Sequence, residues 1–238
     1  MMKHTDNGGK MPKVLLMTGY HDTAIMYSVV SPPLGLFRLQ HYLQKRGVVC
    51  DVLDLGLVAP DINDGNDENI NNNFGEFSSL IEQGHYDVIG VSVDQENMNY
   101  NLNILWELRQ KIERLDKRCL LIAGGQAATH NYEQWIVEGS LDGVLLGFAE
   151  KTLLEFCLAF AQSPKAEVSD FGSKITGIAY KDSSGNVIRR PARVLSTEDF
   201  NELNYIEPME MEIPYERYWA NAEAEGAGKT LNMKEAED

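Results

Sequence analysis

The sequence predicts a doubly wound α/β domain, and three observations carry that prediction. Five short runs of continuous apolar residues alternate with amphipathic stretches at helical spacing. The apolar runs are uninterrupted rather than alternating, as expected of parallel strands covered on both faces. Polar or glycine-rich segments follow the runs at their carboxyl ends, where open α/β sheets bind ligands.

The elements follow in order. Lys13–Thr18 (KVLLMT) reads as a first strand. Leu34–Arg46 reads as a helix, with Leu36, Leu39 and Leu43 on one face and Pro33 suited to its first turn. Val48–Leu53 is a second strand. The Asn/Asp-rich stretch 61–73 reads as a loop before a short helix around 74–83. Asp87–Val93 (DVIGVSV) is a third strand, and a helix over Tyr100–Leu115 places Leu102, Leu105, Trp106 and Ile112 together. Arg118–Ala123 is the fourth strand, Tyr132–Glu138 a short helix, Asp142–Leu146 the fifth strand and Ala149–Ala161 the last helix. Five strands at this length favour the flavodoxin-like (Rossmann-like) order 2-1-3-4-5, with a ligand site near the switch point between strands one and three. Beyond it, Ile175–Tyr180 and Val187–Arg189 flank a Ser-Gly-Asn turn and predict a β-hairpin. Four regions result: a disordered leader (1–10), the α/β domain (11–163), a hairpin extension (164–196) and an acidic linker (197–238).

Composition narrows the function classes. The 238 residues carry 21 basic and 36 acidic side chains, a net charge of −15, and −9 of that falls in residues 195–238. Such a chain repels phosphate backbones, which argues against nucleic-acid partners, and no basic block suggests a membrane surface. No apolar run is long enough to span a bilayer and the N-terminus lacks an apolar signal core, so the expected setting is cytoplasmic. Cys50, Cys119 and Cys157 are scattered and form no CxxC or Cys/His cluster; Cys50 and Cys119 read as buried thiols in strands.

The loops at the ligand end hold the candidate chemistry. No Gly-x-Gly-x-x-Gly and no GxxxxGK[ST] is present, which weakens dinucleotide binding and nucleotide hydrolysis. Gly35 in a helix's first turn points to close approach of backbone or ligand. Gly124-Gly125 either make a tight strand-to-helix turn or leave room for something flat against the backbone. Ser92 alone is compatible with a hydroxyl bonded to backbone, and Asp94, Gln95, Glu96 and Asn97 follow it at the ligand end. His21 is either an exposed loop histidine or a ligand or acid–base group, and His130 equally suits a helix start. His41 and His85 read as surface positions, and no nucleophile–base set can be assembled.

Taken together the loops resemble a known family. SPPLGLFRLQHYLQKRG (31–47), YDVIGVSV (86–93), LLIAGGQAATHN (120–131) and LDGVLLGFAEKTL (141–153) are similar to the cobalamin-binding domain that precedes the catalytic barrel in cobalamin-dependent radical S-adenosylmethionine enzymes. The likeness runs over residues 12–160. It implies a corrinoid on the carboxyl edge of the sheet with its nucleotide tail beside the strands. By position, Ser92, Gly124 and Gly125 match residues lining the tail. Pro33, Leu34 and Gly35 match the helix start beneath the corrin, and Gly147, Ala149 and Glu150 the last strand end. Neighbouring Val93, Asp94, Gln126 and Ala127 complete the expected cofactor-binding set. Two departures stand out. The Asp-x-His-x-x-Gly motif is absent from the first loop, where the order Tyr20-His21-Asp22 leaves His21 as the candidate for a cobalt ligand. Phe148 stands where the family has the first glutamate of a G-E-x-E turn.

The family's CxxxCxxC motif is absent from the 238 residues. The resemblance therefore implies a module that binds cobalamin without turning over alone. S-adenosylmethionine and a [4Fe-4S] cluster would belong to a radical SAM catalytic domain, its expected partner. The parent activity implied is a methyltransferase, the corrinoid passing a methyl group from S-adenosylmethionine to substrate. A free-standing cobalamin carrier, a flavodoxin-like domain for flavin or nucleotide, a signalling receiver, a self-contained hydrolase and a degenerate domain making only protein contacts are the alternatives.

Overall fold

The computed structural model describes residues 10–19, 31–58, 79, 81–95, 98–115, 117–204 and 210–224. Residues 1–9 of the expected leader, the 61–73 loop, His21, Glu96, Asn97 and the last stretch of the acidic region lie outside the described residues.

The core of the structure is a seven-stranded sheet: β1 (Lys13–Thr18), β2 (Val49–Leu53), β3 (Val88–Ser92), β4 (Leu120–Gly124), β5 (Gly143–Leu145), β6 (Ile178–Lys181) and β7 (Val187–Arg189), in the spatial order 2-1-3-4-5-6-7. The first five are parallel in the order the apolar runs predict. The hairpin corrects the five-strand count. β6 pairs antiparallel with β5, Val144 opposite Ala179, and β7 with β6, so the extension continues the sheet. Ile178, Ala179 and Tyr180 are buried as deeply as the central strands. Asp182 fixes the turn by accepting backbone N–H bonds from Ser184 and Asn186, both at 2.9 Å.

Because side chains alternate along a strand, each strand feeds two cores. Leu15, Met17, Ile89, Val91, Leu121 and Ala123 face one side, packed with α3 (Met98–Arg114) and α5 (Tyr132–Glu138). Val14, Leu16, Val88, Leu120 and Ile122 face the other, covered by α1 (Leu34–Gln44) and α6 (Glu150–Gln162). On α3 the buried stripe is Asn101, Ile104, Leu105, Leu108 and Ile112. Trp106, expected on it, is 56% exposed, because it lies about 100° round the helix from Leu105. On α1, Leu36 and Leu43 are buried and Leu39 packs against the same cluster.

Short helices complete the chain: α2 (Leu55–Val58), α4 (Gln126–His130), α7 (Val168–Phe171), α8 (Thr197–Asn204) and α9 (Tyr215–Ala224). The last two occupy the region read as a linker. α8 buries Leu203 and joins α6 through the Lys151–Asp199 ion pair, while Glu202 reaches both Arg46 and Lys151. α9 buries Tyr218 and Ala222, one turn apart; Tyr218 clusters with Phe37 and Ile213. Among the described residues no helix is long and apolar enough to cross a membrane.

Candidate functional site

The site grows from residue size on one face of the sheet. Moving towards the carboxyl edge, the large side chains Val88, Leu120 and Ile122 give way to Gly90, Ser92 and Gly124 on the same face. Ser92 sits opposite Gly124, and Gly90 opposite Ile122. α1 and α6 cover the large residues, and between their N-terminal turns the small ones floor a cleft of about 370 Å³. A Cβ built on Gly124 or on Gly35 would meet nothing within 4 Å, so both positions open onto free space.

Two loops shape the upper rim. Gly125 adopts φ +103°, and its Cβ position lies 3.0 Å from the Val93 carbonyl, so only glycine turns the chain here without strain. Gly147 has φ +69°. Thr129 stitches the two loops: its hydroxyl donates to the Gly125 carbonyl at 2.9 Å and accepts the Gly147 N–H at 3.0 Å. Leu34 and Phe148 stand at the mouth, 48% and 47% exposed, as apolar lips.

One charged pair crosses the cleft. Arg38 of α1 places Nη2 2.8 Å from Oε1 of Glu150, the first residue of α6, whose side chain is only 3% exposed. An acidic group at a helix N-terminus is favoured by the helix dipole. Arg38 Nε and Glu150 Oε2 are buried and lack a hydrogen-bond partner among the described residues.

Of the thirteen residues expected at the site, Pro33, Leu34, Gly35, Ser92, Gly124, Gly125, Gly147, Ala149 and Glu150 line this one cleft. Val93 and Ala127 are buried in the core on the opposite face, Gln126 is exposed at the start of α4, and Asp94 lies beyond β3, its carbonyl accepting Asn101 Nδ2 at 3.4 Å. Arg38, Gly90 and Phe148 are further lining residues. Gly90 had a signal, standing two residues before Ser92 and hence on its face. Arg38 had none, since its partner is far along the chain.

The titratable groups are otherwise structural. All three cysteines are buried and unpaired; burial holds each thiol well above its ordinary range, with Cys119 and Cys157 pushed up to about 12. His130 ends α4, its Nδ1 2.7 Å from the Gln126 carbonyl. His85 is exposed, whereas His41 is largely covered and lies 3.6 Å from Glu210, so of the two expected surface histidines only His85 is one. Among the described residues no group of three or more His, Cys, Asp or Glu side chains could hold a metal ion.

No protein-family model matches the chain, and no curated protein matches it. Solved structures do. The cobalamin-dependent S-adenosylmethionine radical enzyme OxsB, with aqua-cobalamin and S-adenosylmethionine bound, superposes with a TM-score of 0.59 and 20% identity, over 78% of this chain and 23% of that one. The radical S-adenosylmethionine methyltransferase TsrM from Kitasatospora setae, with cobalamin and a [4Fe-4S] cluster bound, gives a TM-score of 0.55 and 18% identity, over 79% of this chain and 30% of that one. The chain thus spans a quarter to a third of the length of these enzymes. At this identity the likeness establishes architecture: the chain is built on the Rossmann-like α/β fold of one segment of the cobalamin-dependent S-adenosylmethionine radical enzymes.

Proposed function

We propose that this chain is a cobalamin-binding module serving a radical SAM enzyme, with methyl transfer as the parent chemistry. The observation that carries the reading is the trench over Gly90, Ser92 and Gly124, open at the carboxyl edge and walled by α1 and α6. It is too small for a macrocycle and suits a flat heterocycle with its sugar, so the corrin would rest outside, against Leu34, Gly35 and Phe148. A largely apolar groove with a few polar groups is the expected form of a cofactor site. When bound, cobalamin supplies the methyl-carrying chemistry at cobalt, while the residues here bind and orient it. S-adenosylmethionine and the [4Fe-4S] cluster belong, in this reading, to a separate catalytic domain.

The test is a visible-absorption titration of the full chain with hydroxocobalamin, followed by desalting. Corrin bands retained by the native chain and lost by Gly124→Trp are the expected result. Gly124 is the position to fill because its Cβ meets no protein atom, so the indole enters the cleft without disturbing the turn at Gly125. The band positions also report whether the cofactor's own base stays on cobalt. A chain that is folded by circular dichroism yet retains no corrin overturns the reading.

A further inference from the structure

The Arg38–Glu150 pair is incompletely satisfied. Glu150 Oε1 pairs with Arg38 Nη2 as an ion pair at 2.8 Å, leaving Oε2 as a buried acceptor and Arg38 Nε–H as a buried donor, both on residues that line the cleft. Buried polar atoms are rarely left unpaired, and leaving them so is costly. A single partner that offers one donor and one acceptor together would satisfy both atoms.

Charge and valence restrict its chemistry. A phosphate or carboxylate brings acceptors only and sets a second negative charge against Glu150. An ammonium brings donors only and leaves Arg38 Nε unpaired. A primary carboxamide meets both demands, its carbonyl accepting from Nε–H and its NH2 donating to Oε2. Resting on the cobalamin reading, in which the ligand's periphery is a ring of primary carboxamides, we propose that Arg38 and Glu150 form a carboxamide clamp that recognises one amide side chain of the corrin. The pair thus selects the amidated cofactor over its carboxylate forms.

The experiment measures binding of hydroxocobalamin and of the three mono-carboxylic acids in which one propionamide on the tail side of the corrin is hydrolysed. Visible titration of the full chain is the readout. The clamp predicts that one acid binds at least about tenfold more weakly than hydroxocobalamin, as a mispaired buried charge requires. Glu150→Gln should weaken hydroxocobalamin binding and largely remove the penalty for that same acid, since the glutamine NH2 can donate to it. Arg38→Lys keeps an ion pair to Glu150 but removes Nε, and should bind hydroxocobalamin several-fold more weakly. Three acids that all bind within twofold of hydroxocobalamin overturn the clamp while leaving the cobalamin reading intact. So does a penalty unchanged in Glu150→Gln, or an affinity unchanged in Arg38→Lys. No binding of hydroxocobalamin by the native chain overturns both.

Discussion

Gly35 and Gly125 lie at the same cleft for opposite reasons, and alanine at each separates them. Gly35 occupies the first turn of α1 with open space around its Cβ position and an ordinary φ. Gly35→Ala should therefore raise stability by about 0.5 kcal/mol through helix propensity while lowering corrin retention, because the new methyl group enters the cleft mouth. Gly125→Ala should instead destabilise by about 1–2 kcal/mol, since φ +103° and the Val93 carbonyl at 3.0 Å both oppose a side chain. Urea midpoints of the two variants, with desalting assays alongside, check the contrast. At this scale the sequence discloses residues whose type is unusual for their place: a glycine in a helix start, a glycine pair after a strand, a lone serine in an apolar run. It does not disclose Arg38, because an arginine on an amphipathic helix is ordinary until the fold brings Glu150 to it.

Helix α9 shows what a short element needs in order to stay in place. Its Tyr218 hydroxyl donates to Asp54 Oδ2 at 2.9 Å, and the Asp54 carboxylate also accepts the Thr18 hydroxyl at 3.2 Å and the Gly56 N–H at 3.0 Å. One buried carboxylate thereby joins the end of β1, the start of α2 and the C-terminal helix. Tyr218→Phe deletes a hydrogen bond to a charged, buried acceptor and should cost about 1.5–3 kcal/mol. Hydrogen exchange should show that cost concentrated in α9, with β3 and β4 unchanged; uniform loss across the sheet would contradict it. The five βα units are legible in the sequence because a parallel strand buried on both faces has to be continuously apolar. The hairpin's membership of the main sheet is not legible, because an antiparallel pair carries the same pattern whether it stands alone or docks on β5. Nor is α9, whose buried face amounts to Tyr218 and Ala222 amid charged neighbours.

Stability as a function of pH belongs to the whole molecule. Burial raises the thiols of Cys50, Cys119 and Cys157, and it raises the phenols of Tyr42, Tyr86 and Tyr218, the last two aided by Asp51 and Asp54. All six are neutral in both folded and unfolded chains below about pH 8. As pH rises past the ordinary thiol value the unfolded chain ionises first, so stability falls by up to about 1.4 kcal/mol per pH unit for each thiol until the folded value is reached. The urea midpoint should hold steady with respect to these groups from pH 7 to 8 and drop clearly by pH 10; an unchanged midpoint at pH 10 would contradict the buried thiols.

The strand order also governs how the chain is made. β1 lies between β2 and β3, and the Lys13 N–H bonds the carboxylate of Asp87, 74 residues later. At roughly 5–20 residues per second of synthesis, β1 leaves the ribosome some 4–15 s before its inner neighbour exists. In that interval Val14–Met17 is a short apolar strand with at least one unpaired edge, the kind of segment chaperones engage. The same placement that puts the switch point beside the cleft makes β1 the strand that waits through the longest stretch of synthesis for its second neighbour.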